Sequence, residues 1–391
     1  MKKKICIITT NRADYGYFKP LISEIKTSDK LELQIIACGT HLEKKYGSSI
    51  EEIIQDNLKP IIIKTFVSDS EIGIVETIAN TSKKIGEELI KTKPDMVILV
   101  GDRYETLTIA HICVILNIPI AHISGGDVTA GANDDMFRHA ITKLSYLHFT
   151  ACQEYQKRVI QLGEEPNRVF NVGALSLENI KKIKLLTQYE IEELLQVKLE
   201  NCLLATFHPV TMETQSQENQ LLELLKAIEI QEKYHVIFTL PNPDHGREIL
   251  VEILKNFAKS FPNKIKIFES LGVINYLSVM KYCAGVIGNS SSGIIEAPSF
   301  KIATINIGSR QEGRVCADSI INCQAKFEDI ILALEKISSI DFKEKLKNTI
   351  NPFEQENSAR KIVKIIEDKL FNHMVNKKFY DLKNYNNYEK F

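Results

Sequence analysis

Twice along the chain, short runs of branched apolar residues alternate with stretches of helical spacing. In the first pass, residues 4–10 (KICIITT), 31–39, 61–66, 95–102, 118–126, 147–151 and 168–174 read as strands. Residues 18–27, 76–92, 105–116 and 135–145 read as helices between them. Nearly continuous apolar strands separated by helices indicate parallel βαβ units with both sheet faces covered. Right-handed crossovers then give a doubly wound sheet. Residues 175–201 are charged and helical without a sheet signal, and read as a connection between domains. The pattern restarts with strands at 202–209, 235–242, 265–270, 284–289 and 302–308. Helices near 217–231, 246–261, 274–282 and 293–299 lie between them. The simplest architecture is α/β, with two Rossmann-like halves facing each other across a cleft. Asn351-Pro352 marks a break, 358–370 reads as a final helix, and the Asn-, Lys- and Tyr-rich tail 376–391 as a packing or disordered extension.

A length of 391 residues agrees with two or three domains, at about 150 residues each. Lys plus Arg number 49 and Asp plus Glu 50, a net charge of −1. That argues against a bulk electrostatic grip on nucleic acid or an anionic membrane, but leaves room for a local basic pocket for a phosphorylated small molecule. None of the eight cysteines forms a C-x2-C or C-x4-C pair, so they read as buried, reduced thiols rather than zinc ligands. Arg12 and Asp14 interrupt the first apolar run before a signal-peptide core forms. The most apolar long stretch, 109–123, is broken by His111, Asn117, Pro119 and His122, too soon to span a bilayer. The expectation is a cytoplasmic enzyme or binding protein.

The strongest local motif is GNSSSGIIEAP, residues 288–298. An apolar strand runs into serines and a glycine, and a helical pattern follows. Strands of a parallel sheet present ligands at their carboxyl ends, and a helix starting there offers free N–H groups. Ser291 and Ser292 add hydroxyls, Gly293 permits close backbone approach, and Glu296 lies one turn further, within reach of a sugar diol. The pattern suits a phosphate or diphosphate; it also fits a bare serine N-cap. Arg12 follows the first strand and Arg310 the last strand of the second half, in GSRQEGR. Two such arginines suit an anionic ligand. Asp102 and Arg103 end another strand in GDRYE, and 124–139 (SGGDVTAGANDDMFRH) holds Asp127, Asp134, Asp135, Arg138 and His139. Carboxylates around one cleft can move protons once their surroundings tune them. Asp134 and Asp135 equally fit the acidic first turn of a helix. No His/Asp/Glu spacing completes a metal site. His208, at a strand end beside Pro209, reads as functional; His122, inside a strand, fits a satisfied core histidine. His235 and His245 carry no pattern.

Taken together, T-x-x-RADYG, GDRYE, HISGGDVTAGANDDMFRHAITKLSYLHF, EY-x-KRVIQLGE, FHPVT, IGNSSSGIIEAPS and INIGSRQEGR, in that order, resemble the hydrolysing UDP-N-acetylglucosamine 2-epimerases of sialic and legionaminic acid biosynthesis. The resemblance covers about residues 4 to 370. It implies the GT-B fold, with its last helix returning to the N-terminal domain: residues 1–174 plus 352–391 as one domain, 175–351 as the UDP-binding domain. It also implies a two-stage reaction without metal or other cofactor. A base removes the proton at sugar C2 while UDP leaves C1, giving a glycal; water then adds, releasing N-acetylmannosamine. By motif position, Arg12, His208, Ser291, Ser292, Gly293, Glu296 and Arg310 bind UDP, with Asn242 joining them. Asp102 and Asp134 match acidic catalytic positions, and Arg103 and Arg138 support the sugar or diphosphate. Such enzymes are dimers or tetramers.

Two departures stand out. Ser124 replaces a glutamate common in the family, a proposed acid/base residue, and the usual GGE reads GGD, bringing in Asp127. Asp127, or a water held by Ser124, then takes the proton role. The resemblance leaves a second substrate open, UDP-2,4-diacetamido-2,4,6-trideoxyglucose, which differs at C4 and C6. More distant alternatives are a non-hydrolysing 2-epimerase, a GT-B glycosyltransferase and a non-catalytic nucleotide-sugar sensor.

Overall fold

The computed structural model describes residues 1–43, 49–65, 68, 70–129, 133–209, 216–241, 246–371 and 377–382. The chain forms two compact units: Met1–Asp127 with Asn133–Asn179 and Gln355–Phe391, and Val128–Ala132 with Ile180–Glu354.

The first unit runs β1 (Lys3–Thr9), α1 (Arg12–Thr27), β2 (Leu31–Ala37), α2 (Ile50–Gln55), β3 (Ile61–Ile62), α3 (Glu71–Thr92), β4 (Met96–Val100), α4 (Tyr104–Ile115), β5 (Ile120–Ile123), α5 (Asn133–Leu144), β6 (Leu147–Thr150), α6 (Gln153–Gln161), β7 (Val169–Asn171) and α7 (Ser176–Lys182). The second runs α8 (Gln188–Leu195), β8 (Cys202–Thr206), α9 (Gln217–Ile230), β9 (His235–Thr239), α10 (Arg247–Ser260), β10 (Ile265–Phe268), α11 (Gly272–Tyr282), β11 (Gly285–Gly288), α12 (Ser291–Ile295), β12 (Ala303–Ile307), β13 (Ile320–Cys323), α13 (Phe327–Ser338) and α14 (Ile340–Lys347). Helix α15 (Ser358–Phe371) returns to the first unit.

Both sheets are parallel among their described pairs, in the orders β3-β2-β1-β4-β5-β6-β7 and β10-β9-β8-β11-β12-β13. Each reverses direction once, between β1 and β4 and between β8 and β11. Ligands of doubly wound sheets bind beyond the strand carboxyl ends at such a switch point.

Alternate side chains of one strand serve opposite faces of the sheet, which is why these strands are apolar throughout. Ile5, Ile7, Met96 and Ile98 pack with α1 and α15 through Phe18, Leu21, Ile362 and Ile366. Cys6, Ile8, Val97 and Leu99 pack with α3, α4 and α5 through Leu89, Ile109 and Ile141. The second sheet repeats this, with Leu203 and Phe238 under α9 and α10, and Leu204 and Ile237 under α8 and α11. Each such side chain contributes about 1.5–3 kcal/mol by burial.

Several expectations are corrected. The strand anticipated at 61–66 is only two residues long. Edge strand β13 and helices α2, α6, α13 and α14 were not anticipated. The helix anticipated at 293–299 is the short α12 followed by a 3-10 turn, Ala297–Phe300, so little aligned dipole accumulates there. The cysteines are unpaired; six are buried, but Cys316 is exposed and Cys323 half-buried.

Residues 377–382 pack on the first unit. The Tyr380 N–H donates to the Gly163 carbonyl at 2.9 Å. Lys377 Nζ reaches Glu164 at 2.8 Å, beside Lys143 at 2.7 Å and His148 Nε2 at 2.9 Å on the same fully buried carboxylate. These three donors outweigh burial and hold the Glu164 carboxyl down at about 2. Burial keeps His148 neutral. Burial, with Lys143 and Arg168 nearby, brings Lys377 down to about 8. We take Glu164 as ionised, because it collects every donor in the cluster.

Candidate functional site

In the first unit, the loops after β1 and β4 flank the switch point. Asn11 caps α1, accepting from the Asp14 N–H at 3.0 Å. Asp14 folds back to accept from Thr10 N at 3.1 Å and Thr10 Oγ1 at 2.7 Å. Burial lifts its carboxyl to about 6 against those bonds. Arg12 starts α1 with an exposed guanidinium, 3.4 Å from Glu52. After β4, Gly101 turns the chain at φ +79. Asp102 follows, and Arg103, just ahead of α4, has its Nε 3.2 Å from the buried carboxylate of Glu105.

Arg138, buried on α5, gathers the acidic residues. Its Nη2 pairs with Asp102, its Nη1 with Asp135 at 3.2 Å. Burial alone would depress the guanidinium, but Asp102, Asp127, Asp135 and Asp134 together raise it. Asp102 and Asp135 thus pair with one permanently charged cation directly, and Asp127 and Asp134 act on it through their charge. Asp135 also meets His139 Nε2 at 3.4 Å. Beneath them, His122 is a core residue: Nε2 meets the Gly101 carbonyl at 2.8 Å, Nδ1 meets Thr142 at 3.2 Å, and burial takes it down to about 3.

The loop carrying Asp127 is tightly shaped. Ser124 leaves β5 at φ +68, a left-handed conformation uncommon for a serine. Gly126 has φ +80, and a Cβ there would lie 2.5 Å from the Tyr155 carbonyl of α6. Arg158 of α6 donates to the Gly126 carbonyl. Helix α6 therefore fixes this loop. Its signal was present in Tyr155 and Val159, an i, i+4 apolar pair, both buried.

In the second unit, His208 follows β8 and is almost wholly buried. Burial first, then nearby Arg310, takes it down to about 3, so the imidazole is neutral. Beyond β11, Ser290 caps α12, and Ser292 donates its hydroxyl to Glu296. Burial raises the Glu296 carboxyl despite that bond. Gly293 lies close under β12, where a Cβ would meet Thr304 Cγ2 at 2.8 Å. Tyr276 of α11, not singled out from sequence, sets its hydroxyl beside Ser292 and Thr206; one tyrosine in an apolar helix gives no pattern to find. Arg310 Nη1 and Gln311 Nε2 donate to the Asn289 carbonyl at 3.1 and 2.7 Å. Asn242 and His245 lie outside the described residues.

The first unit thus groups Asp102, Asp127, Asp134 and Arg138, an arrangement able to move protons, with Arg12 and Arg103 on neighbouring loops. The second groups His208, Ser292, Glu296 and Arg310, which supply hydroxyls, a neutral imidazole and a cation suited to phosphate and sugar oxygens. Among the described residues, no helix is long and apolar enough to cross a membrane, and no three His, Cys, Asp or Glu side chains are grouped to hold a metal ion.

The family model described as UDP-N-acetylglucosamine 2-epimerase matches residues 23–367. The chain is 39% identical to the GDP/UDP-N,N'-diacetylbacillosamine 2-epimerase (hydrolyzing) of Campylobacter jejuni, over 88% of this chain and 89% of that one. It is 37% identical to the polysialic acid biosynthesis protein P7 of Escherichia coli, over 94% of each. The crystal structure of Methanocaldococcus jannaschii UDP-GlcNAc 2-epimerase in complex with UDP-GlcNAc and UDP shares the fold, with a TM-score of 0.76 at 22% identity, over 93% of this chain and 99% of that one. The fold class is GT-B, two Rossmann-like units.

Proposed function

The chain belongs to the UDP-N-acetylglucosamine 2-epimerase family, and on that premise we propose that it is a hydrolysing 2-epimerase releasing UDP and N-acetylmannosamine from UDP-N-acetylglucosamine, for nonulosonate biosynthesis in the cytoplasm. The observation that carries this reading is the cluster of Asp102, Asp127, Asp134 and Asp135 around buried Arg138, in a chain closely similar to a protein named as a hydrolysing epimerase.

In this reading a carboxylate takes the proton from sugar C2 as the C1–O bond to UDP breaks. The electron pair becomes the C1=C2 bond of a 2-acetamidoglucal, and UDP departs as the anion. Water then adds its hydroxyl to C1 while a proton returns to C2 from the opposite face. Asp102, Asp134 and Asp127 manage these protons, with Ser124 where the family often has glutamate. Arg138 orients the carboxylates it pairs with and supplies their counter-charge. Arg12, Arg103, His208, Ser291, Ser292, Gly293, Glu296 and Arg310 bind UDP and offset its leaving charge, with Asn242 among them. Residues 1–174 with 352–391 act as the N-terminal domain, 175–351 as the UDP-binding domain, and the working form is a homo-oligomer.

The name of the 39% identical relative favours a second substrate, UDP-2,4-diacetamido-2,4,6-trideoxyglucose, for the same reaction. Proton NMR of the protein with each sugar nucleotide in D2O separates the readings. Free UDP with an N-acetylmannosamine deuterated at C2 supports the first. Turnover of the diacetamido sugar alone supports the second. A UDP-linked epimer would move the chain to the non-hydrolysing class, and silence with both substrates would sink the enzyme reading.

A further inference from the structure

Strands β8 and β11 pair as far as Thr206 opposite Gly288. The contact there is so close that a Cβ on Gly288, at φ +129, would lie 2.1 Å from the Thr206 carbonyl. The Asn289 N–H makes one more bond, to the Thr206 carbonyl at 3.2 Å. There the main-chain pairing ends and the Asn289 side chain continues it. Its Oδ1 accepts from the His208 N–H at 2.6 Å, and its Nδ2 donates to the His208 carbonyl at 2.8 Å. The Asn289 carbonyl meanwhile accepts from Arg310 and Gln311. One residue, 1% exposed, thus ties together the ends of β8 and β11 and the loop after β12.

A primary amide is suited to this place because it sets one donor beside one acceptor in a plane. A carboxylate of the same shape keeps the acceptor but turns a second oxygen on the His208 carbonyl, and adds a negative charge beside groups read as anion-binding. We propose that Asn289 is a positioning residue for the UDP-sugar reaction, holding His208 and Arg310 where both meet the diphosphate, without touching substrate itself. The proposal rests on the UDP-binding reading of His208 and Arg310.

The test compares the full chain with Asn289→Asp, Asn289→Ser and Asn289→Ala. It measures the Kd for UDP by calorimetry, kcat and KM, and the melting temperature. Asn289→Asp is expected to weaken UDP binding and raise KM by roughly 10- to 100-fold, with a smaller change in kcat. Its affinity recovers at acidic pH, where a protonated carboxyl again offers one donor and one acceptor. Combined with His208→Ala, its effect on Kd is expected to fall well short of additive. UDP affinity within twofold of the parent, or full additivity with His208→Ala, overturns the proposal. If Asn289→Asp does not fold, Asn289→Ser carries the same comparison. A chain that folds with none of the three makes Asn289 a core residue and likewise overturns it. A parent that binds no UDP overturns the functional reading itself, which distinguishes that failure from this one.

Discussion

Arg138, on α5, is ion-paired with Asp102 at the end of β4, and the same guanidinium holds Asp135 at 3.2 Å. A nearly buried cation between carboxylates that belong to different elements organises the acidic cluster as well as neutralising it. Arg138→Gln is expected to cost about 1 to 3 kcal/mol, because half-buried carboxylates lose their counter-charge and a buried hydrogen-bond network is broken, and to lower kcat by two orders of magnitude or more. Arg138→Lys restores the charge without the planar fork and recovers stability better than activity. Urea unfolding read alongside turnover checks both; an active Arg138→Gln would remove the cluster from the reaction.

Asp127 stands on the loop that α6 fixes through Gly126. Asp127→Asn is isosteric and is expected to lower kcat by about 10²- to 10⁴-fold, as losing a general acid or base does, while the Kd for UDP stays unchanged. Full turnover by this variant would eliminate Asp127 as a proton carrier. Ser124→Glu, which restores the family's commoner residue, is the companion substitution, assayed for rescue in the Asp127→Asn background.

Asp14 gives a pH dependence with a definite sign. Its carboxyl rises from 3.8 to about 6 on folding, first through burial. The folded state holds that proton more tightly, so the associated stability is full below pH 3.8 and is lost as pH rises through about 6. Relative to Asp14→Asn, the parent should therefore gain melting temperature between pH 6 and pH 4. A difference that stays flat across that window would refute the assignment.

The Glu164 cluster makes the opposite case. Its carboxyl falls from 4.5 to about 2, so its contribution is present above pH 4.5 and lost as pH falls towards 2. Glu164→Ala leaves two lysines against a neutral histidine and is expected to cost about 3 to 5 kcal/mol. Lys377→Met should cost clearly less, since Lys143 still pairs with the carboxylate. Equal losses in denaturant unfolding would contradict this ranking.

The strands that flank both switch points were legible in the sequence, because they are buried on both faces and must be apolar throughout; the order in which they pair was not. Edge strand β13 was not: Ile320–Cys323 is only partly covered, so no buried period marks it. Asp102, Ser292 and Arg310 were legible as polar residues just past apolar runs, and Asp134 as one of an acidic pair that also fits a helix start. Asn289 lay inside a conspicuous motif yet went unremarked, because its contribution is a pair of bonds to main-chain groups of a residue 81 positions away. The contact of Lys377 with Glu164 joins two loop segments and leaves no periodic trace.

The first unit draws its core from both ends of the chain: Ile5 and Ile7 of β1 share it with Ala359, Ile362 and Ile366 of α15. The second unit's main segment, Ile180–Glu354, lies wholly between. On a ribosome, domains ordinarily complete in the order they are made. Here the domain begun first is finished last. Its β1 and α1 wait for part of their cover until α15 has been translated. A stop codon ahead of Ser358 would therefore damage β1 and α1 more than the second unit, which precedes it.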